Sequence, residues 1–199
     1  MDIVERAKNI LLQPTQEWQV IAAERTTTAE LYSGYIVPLA AIGPLASMVG
    51  MSLIGISLPF VGTYRAPIIT SIIQAVVTYV LTLVGVYVVA FIIDALAPTF
   101  SGEKNSLQAL KVATYASTAA WVGGIFALIP ALSMLGLLPA LYSLYLLYLG
   151  LPTLMKAPQD KALVYTVVVV IAGIVIFVVI GIVSRALITF PTPPMPGVR

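Results

Sequence analysis

Between Lys111 and Lys156 the chain reads VATYASTAAWVGGIFALIPALSMLGLLPALYSLYLLYLGLPTLM (residues 112–155), 44 residues without a charged side chain. A helix crosses the hydrocarbon core of a bilayer in about 20 residues, so this run is too long for one crossing. Pro130 stands near its middle. Proline removes a backbone donor and collides with the preceding turn, so it divides the run into crossings at 109–129 and 132–155.

A charge at mid-bilayer is costly, and the same reading extends outward to the other charge-free runs, 31–64, 66–93 and 162–184. These place crossings at 33–57, 67–93 and 162–186. Five spans result, and no unbroken apolar run is left over for a sixth. The composition agrees. Of 199 residues 60% are hydrophobic and 9% charged, against about 45–50% and about 25% in soluble domains. The expected fold is an all-α integral membrane bundle of five transmembrane helices, preceded by a short amphipathic N-terminal helical segment. It divides into an interfacial segment at 1–30, the bundle at 31–187 and a proline-rich tail at 188–199.

Lys and Arg set the orientation. With the N-terminus inside, the inner segments hold Arg6, Lys8, Arg25, Lys104, Lys111, Lys156 and Lys161, and the outer ones hold Arg65, Arg185 and Arg199. Seven against three predicts a cytoplasmic N-terminus and an extracytoplasmic C-terminus. No cleavable signal is expected, because the first 30 residues carry eight charges and lack a continuous apolar core.

In that first segment Ile3, Val4, Ala7, Ile10 and Leu11 recur at helical spacing, with Asp2, Glu5, Arg6, Lys8 and Asn9 between them. Pro14 breaks the helix, and a second short one carries Trp18, Val20 and Ile21. Trp18 is the expected interfacial anchor at the headgroups; the other reading packs the segment under the bundle. Thr27 and Glu30 form a capping box that starts the first membrane helix near residue 28.

The first span holds Gly34, Pro38, Gly43, Pro44, Gly50 and Gly55. It reads as a broken helix lining a site or as a kinked packing helix. Ser71, Gln74, Thr78, Thr82 and Gly85 share one stripe of the second span, as a helix–helix seam or a polar pathway. In the third span Ala116, Ala120 and Gly124 permit close backbone approach, and Gln108, Lys111, Tyr115 and Thr118 form a polar stripe. This helix is expected inside the bundle. Val169 and Val170 of the fifth are expected to face lipid.

Asp94 ends the second span and Lys111 opens the third. They are expected to pair where membrane meets cytoplasm. Asp94, Gln108, Lys111, Tyr115 and Thr118 are thus the candidate polar cluster, structural or functional. Lys can also reach the interface without a partner. Catalysis is disfavoured. The chain has no His and no Cys, no carboxylate pair at acid–base spacing and no phosphate loop, since Phe100-Ser-Gly-Glu-Lys-Asn lacks the spacing and reads as a turn leading to Ser106 as a helix cap. No metal or cofactor site is expected. A net charge of +2 with scattered basic residues argues against nucleic acid.

Gln108-Ala-Leu-Lys-Val-Ala-Thr-Tyr-Ala-Ser-Thr, Trp121-Val-Gly-Gly-Ile-Phe, Leu144-Tyr-Leu-Leu-Tyr-Leu-Gly-Leu-Pro and Met155-Lys-Ala-Pro resemble the bacterial branch of the Yip domain family of Ypt/Rab-interacting membrane proteins. So does the N-terminal Ala7-Lys-Asn-Ile-Leu with Pro14, Trp18 and Ile21. The resemblance implies five spans, a cytosolic N-terminus and a membrane-organising role, with no catalytic residue. Eukaryotic relatives bind GTPases through longer cytosolic N-terminal regions, so GTPase binding is not expected here. The expectation is a non-enzymatic protein of a prokaryotic inner membrane. Its partners would be lipids, other membrane proteins or further copies of itself. The alternative is a small transporter or channel subunit using the stripes of spans two and three.

Overall fold

The computed structural model describes residues 2–58 and 62–187. The tail assigned to 188–199, Arg199 included, lies outside them, as does the side chain of Arg185.

Two short helices come first, α1 (Ile3–Leu12) and α2 (Pro14–Ala23). Asp2 caps α1, and Pro14 opens α2, where its missing N–H costs nothing. Thr27 and Glu30 then form the capping box expected of them and start a helical segment running to Ile54. That segment is α3 (Thr28–Leu31), α4 (Val37–Ala40) and α5 (Ile42–Val49), with π turns at Tyr32–Ile36 and Gly50–Ile54. The first π turn lies just before Pro38. Val37 N–H there reaches back five residues to Tyr32 O, which accommodates the ring that would strike the carbonyl of residue 34. The prolines therefore kink one continuous helix.

Gly55, at φ +80°, ends it. A Cβ there would meet Tyr64 O at 2.4 Å, so the position needs glycine. A two-stranded antiparallel hairpin follows, β1 (Ile56–Leu58) and β2 (Gly62–Tyr64), in register Ile56↔Tyr64. An all-helical fold did not anticipate it. The strands satisfy backbone groups in a turn too short to be helical.

Next come α6 (Ile68–Leu96), a 3-10 turn (Ala97–Phe100), α7 (Ser106–Ala116) and α8 (Thr118–Gly123). Asn105 rather than Ser106 caps α7, accepting from Gln108 N. Ser117 separates α7 from α8, its hydroxyl donating to Ala113 O at 2.7 Å, a back-bond that bends helices. Two 3-10 turns (Gly124–Leu128 and Pro130–Gly136) lead to α9 (Leu137–Met155), and α10 (Gln159–Leu187) closes the described chain.

Among the described residues four helical segments are long and apolar enough to cross a membrane: Thr28–Ile54, Ile68–Phe100, Pro130–Met155 and Gln159–Ser184. The segment 106–128 is not one of them, because its helix is interrupted. It lies nonetheless at the centre. Every residue from Ala109 to Ala116 is buried, and it runs alongside the first segment from end to end. Its α7 packs against α3, Tyr35 meets Thr118, a Cβ on Gly124 would stand 2.7 Å from Gly43 Cα, and one on Gly50 would stand 2.3 Å from Ala127 O. These contacts explain Gly43 and Gly50 of the first span. They let backbones touch, as in small-residue membrane seams.

Helices α6 and α10 pack antiparallel, with Gly85 against Ile176 and Ile180, and Tyr165 donating to Ile93 O. In the polar stripe of α6, Gln74 bonds Thr78 and Thr82 bonds Thr78 O, so part of that polarity is satisfied within the helix. Most of α10 is exposed apolar surface suited to lipid. Val169, expected on that surface, instead turns into the core with Val170 packed beside it, and Ile171, Ile174 and Val175 face outward.

Candidate functional site

Helices α1 and α2 fold back on each other and fill a slot beside α7, α8 and α9. Each buries the same pattern, i, i+1 and i+4. These are Arg6, Ala7 and Ile10 in α1, and Glu17, Trp18 and Ile21 in α2. Period 3.6 brings those positions to one face, so each apolar stripe carries one charge of opposite sign. Arg6, 3% exposed, donates from Nη1 to Glu17 and from Nη2 to Glu24. Its guanidinium also lies 5.6 Å from the Tyr115 ring centroid, within cation–π range.

Lys111 completes the cluster. It is 1% exposed, and its Nζ donates to Ile21 O at 2.9 Å and Glu24 O at 2.6 Å. Gln108 Nε2 donates to Ala22 O at 3.2 Å. These carbonyls belong to the end of α2, where the helix leaves acceptors unpaired and its dipole favours a cation. Two positive groups, Arg6 and Lys111, thus balance two negative ones, Glu17 and Glu24. The rings continue upward. Tyr115 stands edge-on to Trp18 at 6.4 Å and tilted to Tyr35 at 4.7 Å, and Tyr35 Oη meets Thr118 Oγ1 at 2.9 Å. A crevice of about 120 Å³ borders the cluster, lined by Arg6, Glu24, Glu30, Gly34, Tyr35 and Tyr115 among others.

Gln108, Lys111 and Tyr115 of the stripe therefore face the N-terminal hairpin, and Thr118 faces Tyr35 of the first membrane segment. Asp94 does not join it. The expected Asp94–Lys111 ion pair is absent among the described residues, where the ion pairs are Arg6–Glu17, Arg6–Glu24 and Lys156–Glu103. Backbone carbonyls took the ammonium instead. Asp94 lies on the α10 side of α6, next to the Ile93–Tyr165 contact, with Oδ1 buried and unpartnered. Trp18 also departs from expectation. It is 1% exposed and is packed in a notch at Gly150, where a Cβ would stand 2.7 Å from its ring. It anchors the hairpin to the bundle rather than to headgroups. Arg6, Glu17, Glu24 and Tyr35 were not among the expected site residues. The signal was there in two adjacent amphipathic helices with opposite charges on their apolar faces.

A double-variant cycle tests this arrangement. Lys111→Met is expected to loosen the hairpin by roughly 1.5–3 kcal/mol, the range for hydrogen bonds to a charged group. Asp94→Asn should add to it within about 0.5 kcal/mol, as independent sites do. Detergent melting of the two single variants and the double one decides. Recovery in the double variant would restore the direct pair.

Among the described residues no group of three His, Cys, Asp or Glu side chains is placed to hold a metal ion. The Yip1 domain family model matches residues 8–180. The chain belongs to the Yip1 domain family. It is 25% identical over 170 residues to the inner membrane protein YohC of Escherichia coli K12, covering 84% of this chain and 87% of that one. The protein of the same name from Escherichia coli O6:H1 matches to the same extent. No solved structure matches.

Proposed function

We propose that this Yip1-family membrane protein crosses the inner membrane five times and works without catalysis, as a scaffold that binds lipids or other membrane proteins, copies of itself included. The observation that carries this reading is the use made of the polar stripe. Lys111 and Gln108 are spent on the end of α2, and Tyr115 and Thr118 on Arg6 and Tyr35. A transport path would need such groups free to exchange partners with a solute. The close packing of Gly43 on Gly124 supports the scaffold reading over the transporter for the same reason. GTPase binding is not part of the proposal, because the short N-terminal segment is already packed on the bundle.

The side-by-side course of 106–128 and Thr28–Ile54 supports a fifth crossing, since a segment touching a spanning helix at both ends covers the same depth. The hairpin, the loop at 101–105 and Lys156 then share one face, where Glu103 N–H donates to Met155 O at 2.8 Å and Lys156 pairs with Glu103 at 2.7 Å. The excess of Lys and Arg makes that face cytoplasmic.

A reporter active only in the cytoplasm tests the topology. Fused after residue 106 or 158 it is expected to be active, and after residue 199 silent. Activity at the C-terminus would refute five spans. Solute or proton flux through reconstituted vesicles, lost in Lys111→Met without loss of stability, would refute the scaffold reading.

A further inference from the structure

The outer surface of the α1–α2 hairpin is mostly polar at a depth where the far flank of the bundle is apolar. A chain of lateral contacts sets the level. Tyr142 donates to Leu11 O at 2.7 Å, and Ala120 N donates to the next residue, Ser143, at 3.0 Å. Thr118 meets Tyr35, and one turn earlier Tyr32 donates to Leu83 O at 3.0 Å. The tip of the hairpin thus lies level with Leu83 and Val84 of α6 or deeper by up to five residues of helical rise, about 7.5 Å. From Val84 the exposed apolar stripe of α6 continues through Val88 to Phe91, which is 66% exposed. That adds about 10 Å on the hairpin's side, at 1.5 Å per residue. Val164, Val167 and Ile171 continue the same apolar flank on α10.

On the hairpin Gln13, Thr15 and Gln16 are exposed at the tip, and Glu5, Lys8 and Gln19 along its length. Hydrocarbon offers these groups no partner, and leaving a polar group unbonded there is costly. Nor can the hairpin float outward to relieve the mismatch. Lys111 and Trp18 hold it in its slot, and Arg6 ties α1 to α2 and lies over the Tyr115 ring.

We propose that the lipid–water boundary runs about 10 Å deeper along the hairpin than along the α6–α10 flank, at the helical rise of 1.5 Å per residue. Lipid headgroups and water fill the indentation. Exposed Leu12, at the tip, then lies at the boundary between headgroups and chains, as the apolar side chains of an interfacial helix do, and exposed Val4 and Val20 lie in the headgroup layer. The slot beside α7 explains why the third segment carries Lys111 and Gln108: the hairpin, not lipid, covers them. Beyond the tip the segment turns apolar and outward at Val122 and Ile125.

The chain has no cysteine, so single introduced thiols report cleanly. Nitroxide labels are placed by Gln16→Cys and Val84→Cys, both at exposed positions, in vesicles of phosphatidylethanolamine and phosphatidylglycerol. The label at 16 is expected to be relaxed by a water-soluble nickel chelate, and the label at 84 by oxygen, with opposite accessibility ratios at one level. Thr15→Cys serves as a second hairpin site. Oxygen-dominated relaxation at 15 and 16 would place them in hydrocarbon and overturn the proposal. Shielding from both agents would mean that protein covers the hairpin, which also overturns it.

Discussion

Replacing Arg6 by Met is expected to destabilise the protein by about 3–5 kcal/mol, the range for removing one member of a buried ion pair. The reason is Glu17. Its side chain is 7% exposed, and without Arg6 its carboxylate stays in the slot with no cation beside it. Glu24 loses less, because its side chain is 35% exposed and can turn to water. The double change Arg6→Met with Glu17→Leu removes both buried charges and should recover much of the loss, since apolar replacement of a whole buried pair is often near neutral. Melting in detergent measures the first effect. Protease cleavage after Arg25 reports whether the hairpin has left its slot. If Arg6→Met melts like the parent, the guanidinium is not the hairpin's fastening.

Gly50→Ala is expected to cost at least about 1–3 kcal/mol, the usual range for overpacking. The added carbon would stand 2.3 Å from Ala127 O and 2.7 Å from Leu128 O. Both are backbone atoms and cannot swing away as a side-chain tip can. Gly173→Ala and Gly181→Ala provide the contrast. Nothing lies within 4 Å of a Cβ at either position, so alanine should gain up to about 1 kcal/mol from helix propensity. The ordering is the test. Equal melting points for the three variants would mean that the end of the first segment does not touch residues 127 and 128.

The helices were readable because lipid is an unforgiving solvent. A charge or an unpaired backbone group inside it costs so much that the spacing between charges points to the long apolar helices. The expected span at 67–93 became α6 at Ile68–Leu96, and 162–186 became α10 at Gln159–Leu187. Capping was equally local. Thr27 and Glu30 are three residues apart, and their chemistry needs nothing further along the chain. The third segment was harder, because its helix bends at Ser117 through a bond to its own Ala113 carbonyl.

Partner choice belonged to the tertiary structure. Lys111 and Asp94 carry opposite charges and flank one loop, and proximity in sequence favoured their pairing. The ammonium instead found the carbonyls of Ile21 and Glu24, about 90 positions away by sequence separation. A backbone carbonyl has no signature in the sequence, since every residue carries one. Only the docking of α2 exposes these particular acceptors at a helix end. Likewise Trp18 has the composition of a headgroup anchor, and only the absent side chain at Gly150 opens a place for it inside. Solvent preference acts on each residue separately and is written along the chain, whereas these contacts require two distant surfaces to meet, and that complementarity exists only once the bundle has closed.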